Sequence, residues 1–493
     1  FSFIKYNYMI RPSSLLSILS ICLCSFSVQA QDPSVQKAKE EVKNILNNAY
    51  EQDKKTTRQL WEYAEVGFKE SKSASLHVQH LQEAGFKVTT GVGDMPTAFM
   101  ASYGSGKPII GILAEYDALP GLAQEGGNAE KATIAGKNAG HGCGHDIFGT
   151  ASVSAGIAIK KLIESGKIKG TIRVYGSPAE EGGGGKVYLV RSGVMDDVDV
   201  AIHWHPGNKN EVTMKSALAY KSAKFRFYGV SAHAAASPEQ GRSALDAVEA
   251  MDNMVNMMRE HIPQETRIHY VITNGGKAPN VVPDFAEVFY YVRHPKRDKV
   301  VEIFNRVTKA AEGAAIGTGT SMKYEVIDGT HDLLLNKTLA DVMQLNLESV
   351  GGIPYTEAEK EFAKNLQKSF LGTIPPIEDA QKVFPMKVDF TAGGGSTDVG
   401  DVSYTIPTVG LSTATWVPGT PAHSWQAVSC GTTEIAAKGM INAAKVMAMT
   451  AIDFYNSPAT IQKAKEEFLK QKGDYKYQAL LGDRPPALNY RDN

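Results

Sequence analysis

The sequence has 493 residues, of which 43% are hydrophobic, and its formal net charge is −1 at pH 7. A chain of this length and composition can form two domains with sizeable cores. A net charge so close to zero excludes a bulk electrostatic attraction to nucleic acid or to an anionic membrane. The function is therefore expected to depend on local motifs.

The first thirty residues predict an export signal. Arg11 precedes an apolar run from Leu15 to Leu23, and Ala30 ends a short stretch suited to cleavage. The run is shorter than the roughly 20 residues that a membrane-spanning helix needs. We therefore predict that residues 1–30 are a leader and signal peptide, that the protein is exported to a bacterial periplasm, and that it does not contact a membrane after cleavage.

Beyond the signal, short apolar strands alternate with helices. The predicted elements are helices over 36–86 and 147–166 and strands at 107–117, 171–175 and 198–202. Such alternation favours an α/β fold with a mostly parallel, helix-covered sheet.

The pattern changes between residues 219 and 328. Strands at 223–228, 266–273, 285–293 and 321–327 combine with helices at 243–258 and 297–313 in the order βαββαβ. This order describes a compact α+β module inserted into the first domain. The α/β pattern then resumes with helices at 334–349, 356–370 and 433–455 and a strand at 408–412. We therefore assign residues 31–218 and 329–493 to one domain and residues 219–328 to an inserted one, with a surface position expected after residue 473.

A run of metal-binding side chains separated by glycines lies just before the helix at 147. Cys143 and His145 are two residues apart, with Asp146 next to them, and such side chains can converge on a transition metal. The alternatives are a free cysteine in a glycine-rich turn, or a disulfide with Cys430. A cysteine beside a histidine favours the metal ligand.

Polar side chains also follow the predicted strands. Because the carboxyl ends of parallel strands meet at one edge of a sheet, these side chains should share one rim. They are Glu115 and Asp117 after the first strand, Cys143 and His145 on the loop that follows, Glu180 and Glu181 after the second strand, and His203 and His205 after the third. Another loop places His423 after the strand at 408–412.

Five donors are too many for one catalytic zinc, which keeps an open position. They are Cys143, His145, Glu181, one of His203 and His205, and His423. They suit two divalent metals, zinc or manganese, that share ligands and clamp a hydrolytic water. Of the paired acids at 180 and 181, one should bind metal and the other should take a proton from the water. His203 and His205 face the same side of a strand, so their spacing leaves both open as ligands.

Seven segments carry a resemblance to a known family. They are Glu115–Pro120, His141–His145, Pro178–Gly182, Ala232–Ala235, Gly241–Asp246, Ser396–Asp401 and Gly419–Ser424. On these motifs the chain resembles the aminoacylase/carboxypeptidase-type dinuclear metallopeptidases, from Trp61 to the helix after His423. Within them it resembles the amidohydrolase subfamily that includes indole-acetyl-amino-acid hydrolases, and above all its p-aminobenzoyl-glutamate branch.

The resemblance implies roles for individual residues. In the first domain it implies that Glu180 is the general base and that Asp117 and Asp146 support the metal ligands. The implied ligands are Cys143, His145, Glu181, His205 and His423. His205 is favoured over His203 because the p-aminobenzoyl-glutamate branch keeps the Trp-His-Pro found here at 204–206. In the inserted domain it implies that His233 polarises the carbonyl in a neighbouring subunit's site. Asn280 and Arg293 would hold the substrate carboxylate or the oxyanion. Phe148 stands where many relatives have a second histidine, which leaves the substrate contacts there open.

The resemblance thus implies a metal-dependent amidohydrolase that cleaves N-acyl or N-aroyl amino acids, with p-aminobenzoyl-glutamate-like conjugates preferred. A dipeptidase or general N-acyl-amino-acid deacylase would use the same machinery. A non-catalytic, metal-bearing subunit of a hetero-oligomer is the alternative of another class, and the intact Glu180 argues against it. The inserted lid or dimerisation domain implies a homodimer, and a hetero-oligomer with a paralogous subunit is also open.

Overall fold

The computed structural model describes residues 32–389 and 394–492. The predicted leader and signal peptide, residues 1–30, lies outside the described residues. Before the inserted domain the elements are α1 (Pro33–Tyr63), α2 (Ser71–Glu83), β1 (Lys87–Thr90), β2 (Phe99–Gly104), β3 (Ile109–Glu115), β4 (Leu119–Pro120), β5 (Ala139–Gly140), α3 (His145–Glu164), β6 (Thr171–Ser177), α4 (Gly185–Arg191), β7 (Val200–Gly207) and β8 (Glu211–Val212).

The inserted elements follow, and the chain then returns to the first domain. The inserted elements are β9 (Ala219–Tyr228), α5 (Ala244–Met258), β10 (Arg267–Asn274), β11 (Phe285–His294), α6 (Arg297–Thr318) and β12 (Ser321–Thr330). The remaining elements are α7 (Lys337–Val350), α8 (Glu357–Gln367), α9 (Val399–Ser403), β13 (Thr408–Ala414), α10 (Trp425–Cys430), α11 (Glu434–Asn456) and α12 (Pro458–Lys472).

The larger sheet has seven strands in the order β1-β2-β6-β3-β7-β13-β8. Its four central strands, β6, β3, β7 and β13, are parallel, whereas β1, β2 and β8 join the edges antiparallel. Every residue of β3 is buried, as expected for a strand that is covered by helices on both faces. The predicted mostly parallel α/β fold is confirmed, and the antiparallel strands β1 and β2 were not foreseen.

Helices α1, α3 and α11 pack against one another beside this sheet. By length and composition α11 could cross a membrane, but 83% of its most apolar 18-residue window is buried inside the protein. Its alanines and methionines therefore form the core of the first domain.

The inserted domain is a four-stranded antiparallel sheet in the order β10-β11-β9-β12, with α5 and α6 packed on it. Its element order is the predicted βαββαβ. The helical spacing of Met251, Val255 and Met258 in α5 favours a contact surface between subunits, but the structure buries these side chains in this domain's own core. The exposed side of α5 carries Met257 instead, which is 70% exposed.

The segment after α12 differs from its predicted surface position. Leu480 and Leu481 are only 7% and 3% exposed, and Leu480 would contact a Cβ added at Gly329, the penultimate residue of β12. The segment therefore packs on the junction between the two domains.

Candidate dinuclear metal centre and active site

The loop that carries Cys143 ends where α3 begins, at His145. Gly144 before it has φ +75°, a left-handed conformation that favours glycine. A Cβ there would lie 2.8 Å from Cβ of Pro206, so the loop also approaches β7 too closely for a side chain. The backbone N–H of His423 donates to the carbonyl of Gly142 (2.9 Å), which brings the late histidine to this loop.

One donor group contains Cys143, His145 and His205, whose ligand atoms lie within 4.8 Å of one another. Nδ1 of His205 contacts the carbonyl of Pro206 (2.7 Å), and its Nε2 lies 3.4 Å from Sγ of Cys143. Nδ1 of His145 contacts Oδ1 of Asp117 (2.9 Å). The Nδ1 atoms of His145 and His205 thus both contact oxygen atoms, and this arrangement leaves the Nε2 atom of each ring available to bind a metal.

A second donor group contains Cys143, Glu181 and His423, again within 4.8 Å. Oε1 of Glu181 lies 3.1 Å from Nε2 of His423. His423 has φ +57°, an uncommon backbone conformation for a residue with a side chain. Asp117 holds both groups, because its second oxygen accepts from the N–H of Glu181 (2.9 Å).

These residues fit two divalent cations. Nε2 of His145 and Oε1 of Glu181 are buried and make no hydrogen bond, so each has capacity for a ligand bond. Cys143 belongs to both groups and would be shared. Burial, and then the charge of Glu181, raises the pKa of the Cys143 thiol well above its usual range. A bound cation would therefore have to displace the thiol proton.

Glu180 lies on a tight loop between β6 and α4. Ala179 before it has φ +56°, and its N–H donates to Oε1 of the buried Glu70 (2.8 Å). Burial, followed by the charges of Glu115 and Glu181, raises the pKa of Glu180 well above its usual range. A carboxyl group tuned upwards in this way is suited to taking and returning a proton near neutral pH.

The buried ammonium group of Lys186, which was not predicted from the sequence, contacts Glu115, a neighbour of His145. Nζ of Lys186 lies 2.6 Å from Oε1 of Glu115 and 2.6 Å from Oδ1 of Asp398, and all three side chains are at most 1% exposed. The other oxygen of Glu115 lies 3.1 Å from Nε2 of His145. Burial alone would lower the pKa of Lys186, but Asp398 and Glu115 outweigh it and raise this pKa. The only sequence signal for Lys186 was its position after the glycine run.

The two candidate histidines of β7 occupy different places. His205 is in the first donor group, whereas the ring of His203 packs over Gly410 in β13, where an added Cβ would lie 2.1 Å from Nε2. Burial lowers the pKa of His203 to about 4. The centroid of the Phe148 ring lies 6.0 Å from the ring centroids of both His145 and His205, so this ring packs beside the two candidate ligands.

We expect His205→Ala to weaken metal binding more than His203→Ala, because only His205 has a ring nitrogen beside Cys143. The loss for His203→Ala should not exceed the roughly 10–100-fold typical of residues that support ligands. Titration of the metal-free variants with zinc, followed by elemental analysis, gives the ranking. The opposite ranking would assign the ligand to His203.

The side chains of Asp146 and Cys430 lie outside the two donor groups that share Cys143. The carboxylate of Asp146 is fully buried, makes no hydrogen bond and lies 4.0 Å from Nδ1 of His141. Burial raises the pKa of Asp146 to about 8. Cys143 and Cys430 are both free, and Cys430 is buried in a separate core cluster, so they form no disulfide.

The inserted domain brings two of its predicted site residues together. His233 pairs with Val281, and the N–H of Ala234 donates to the carbonyl of Asn280 (3.0 Å). Nδ1 of the exposed His233 accepts from the N–H groups of Ala235 and Ala236 (3.2 and 3.1 Å). The ring proton of a neutral His233 is therefore on Nε2, which makes this atom a donor.

Arg293 lies apart from that pair, at the junction of the two domains. Its guanidinium lies 5.0 Å and 5.2 Å from the ring centroids of Tyr220 and Tyr291. Its Nη1 donates to Oγ of Ser396 (2.9 Å), and its Nε is buried without a hydrogen bond. The cation is thus fixed in orientation with donor capacity left.

Comparison with known proteins shows which family the chain belongs to. Residues 218–318 match the peptidase dimerisation domain of the M20 family. The chain is 40% identical over 456 residues to the B component of p-aminobenzoyl-glutamate hydrolase of Escherichia coli K12, an alignment that covers 87% of this chain and 95% of that protein. The chain belongs to the M20 peptidase family. It is also 28% identical to the mouse Xaa-Arg dipeptidase, over 84% of this chain and 88% of that enzyme.

Two solved structures share the fold. The YXEP protein of Bacillus subtilis, described as a dinuclear metal-binding M20 peptidase, has a TM-score of 0.57 at 16% identity, covering 83% of this chain and 99% of that one. A putative aminohydrolase of Staphylococcus aureus has a TM-score of 0.64 at 18% identity, covering 84% and 99%. The protein is therefore a hydrolase of the M20 peptidase and amidohydrolase type, for which dinuclear metal binding is typical, and its dimerisation domain suggests a dimer.

Proposed function

We propose that the protein hydrolyses the amide bond of N-aroyl or N-acyl amino acids, with p-aminobenzoyl-glutamate-like conjugates as its favoured substrates. The observation that carries the proposal is the pair of donor groups that share Cys143, with Glu180 beside them. The substrate class is supported by 40% identity to one component of a p-aminobenzoyl-glutamate hydrolase across 95% of its length. The mouse relative supports a dipeptidase as second candidate.

The proposed ligands are Cys143, His145 and His205 for one cation and Cys143, Glu181 and His423 for the other. Two divalent cations, zinc or manganese, would polarise the scissile carbonyl and acidify the attacking water. Glu180 would take the proton from that water and return it to the leaving amine. Asp117 would hold His145 and the backbone of Glu181 in place, since it contacts both.

The inserted domain would supply the groups that bind the rest of the substrate. Arg293 suits a carboxylate, because its planar fork can bind both oxygens. The Nε2–H of His233 would donate to the oxyanion as the carbonyl becomes tetrahedral. Among the described residues, the contacts of His233 lie within its own domain, which supports delivery to the site of a second subunit.

We further propose a homodimer formed through the inserted domain, as the match to a dimerisation domain suggests. The exposed edge strand β10 and the outer side of α5 offer a surface for a two-fold contact. A hetero-oligomer is the alternative, because the bacterial relative is named as one of the subunits of its hydrolase. Export to a bacterial periplasm remains a proposal supported by the pattern of residues 1–30, and detection of the protein in a periplasmic fraction would test it.

The substrate proposal is tested by screening the zinc- or manganese-reconstituted protein alone. We expect release of p-aminobenzoate and glutamate from the conjugate to have the highest kcat/KM in a panel that includes acyl-amino acids and Xaa-Arg dipeptides. A higher kcat/KM for a dipeptide would favour the second candidate. Metal-loaded protein that turns over no member of the panel would contradict the proposal.

The shared site is tested by mixing two inactive variants, Glu180→Ala and His233→Ala. In a mixed dimer one site carries both defects and the other carries neither. Random exchange of equal amounts gives half mixed dimers, so about a quarter of all sites should regain activity. Subunit exchange is followed with labelled protomers. Mixtures that exchange but stay inactive would leave His233 with a role inside its own subunit.

A further inference from the structure

Residues 474–492, which we name the strap, run from the end of α12 across the domain junction to the loop that carries Glu180 and Glu181. From its geometry we infer that Tyr490 and Arg491 of the strap are positioning residues for these two glutamates. The inference rests on the proposed function only in giving the glutamates their roles as base and ligand.

The strap is anchored along its length before it reaches the site. Oη of Tyr477 donates to Oδ1 of Asp401 (2.8 Å), which also contacts His331 directly after β12. Nη1 of Arg484 donates to the carbonyl of Val326 (2.7 Å), where the pairing of β12 is irregular. Its course is therefore fixed where the inserted domain joins the first one.

The strap is also tied to α4, the helix that follows the glutamate loop. Oη of Tyr188 donates to the carbonyl of Pro485 (3.3 Å), and Nη1 of Arg191 donates to the carbonyl of Arg484 (2.8 Å). Beyond these ties, the ring of Tyr490 packs edge-on against Phe68, with ring centroids 5.7 Å apart. The last described residue, Asp492, pairs with Lys69 at 2.8 Å.

The decisive contacts are on the backbone carbonyl of Glu181. This oxygen accepts from Oη of Tyr490 (3.1 Å) and from Nη2 of Arg491 (2.5 Å). The guanidinium of Arg491 also lies 4.7 Å from the ring centroid of Tyr490, so the two donors support each other. Since the N–H of Glu181 donates to Asp117, both backbone polar groups of this residue are held by distant side chains.

The loop needs such external support. Ala179 has a left-handed backbone, a conformation that costs about 1–3 kcal/mol and persists only when its surroundings impose it. Glycines fill positions 182–185 after the glutamates, and glycine has little conformational preference of its own. The strap therefore fixes an orientation of Glu181 that the loop sequence does not encode, through Arg491, which lies 310 positions further along the chain.

The test compares the double variant Tyr490→Phe/Arg491→Met with Asp492→Asn in metal-reconstituted protein. Tyr490→Phe keeps the ring on Phe68 and removes only the hydroxyl. Asp492→Asn loosens the strap at Lys69 without touching Glu181. For the double variant we expect kcat to fall about 10–100-fold, the range for residues that orient metal ligands, with KM little changed. We also expect faster metal loss to a chelator and faster amide exchange at residues 182–185, whereas Asp492→Asn should resemble the wild type in all four.

Arg491→Lys retains a cationic donor and should recover part of kcat, which a purely structural loss would not allow. If the double variant folds poorly, Tyr490→Phe and Arg491→Lys are measured singly, with metal release as the readout. The inference is overturned if metal release and exchange match the wild type, or if Asp492→Asn causes an equal loss. Glu180→Gln is assayed alongside, because full activity there would contradict the proposed function while the metal-release comparison still decides the role of the strap.

Discussion

Replacement of Glu180 by glutamine should lower kcat by about 10²–10⁴-fold while both metals remain bound. The amide keeps the shape of the side chain but cannot take a proton. Glu180 lies outside the two groups that share Cys143, and it forms a third group with Glu115 and His145, whose ligand atoms lie within 4.8 Å of one another. The steady-state rate and elemental analysis of the same preparation give the two quantities.

Glu181→Gln provides the comparison, because Glu181 is the neighbouring residue but belongs to the group with Cys143 and His423. It should lose metal as well as activity. Glu83→Gln, at the exposed end of α2, controls for a change of charge alone and should change neither quantity. Equal metal loss in Glu180→Gln and Glu181→Gln would contradict the division of roles between the two acids.

Replacement of Cys143 by serine should remove metal from both proposed positions and abolish most activity. Cys143 belongs both to the donor group with His145 and His205 and to the group with Glu181 and His423. A serine hydroxyl does not ionise as a thiol does when it binds a cation. Elemental analysis after dialysis against metal-containing buffer should show far less than two metals per chain.

Cys430→Ser is the matched control for this experiment, because Cys430 is the second buried cysteine and lies in a separate core cluster. It should lower the melting temperature without changing the metal content. Full metal occupancy and rate in Cys143→Ser would make Cys143 an ordinary structural thiol.

Much of the centre was predictable because the carboxyl ends of parallel strands meet at one edge. Three strands ending in acids or histidines were enough to predict that Glu181 and one histidine of β7 lie near Cys143, and the structure groups Glu181 and His205 with this cysteine. The choice between His203 and His205 was not accessible from spacing, since both face the same side of β7. It depends on distance along the strand, where two residues move a side chain about 6–7 Å towards the rim.

The parts that sequence reasoning missed depend on contacts between distant residues. Lys186 reads as an ordinary helix lysine, and only the approach of Glu115 and Asp398 shows it as a buried counter-charge. Arg491 lies in a polar stretch without periodicity, and its partner is Glu181. Met251 and Met258 fit both a core and an interface, and only the packing of α5 on its own sheet decides for the core.

The free edge of the inserted sheet has a consequence for the handling of the protein. β10 is an edge strand, and its Val271 and Ile272 are 56% and 40% exposed. An apolar edge with unpaired backbone groups can add a strand from any other chain, which is how ordered aggregates start. If the proposed contact between subunits is lost, the exposed β10 should therefore lead to precipitation of folded protein. Val271→Lys would place a charge on this edge and should keep an isolated protomer in solution.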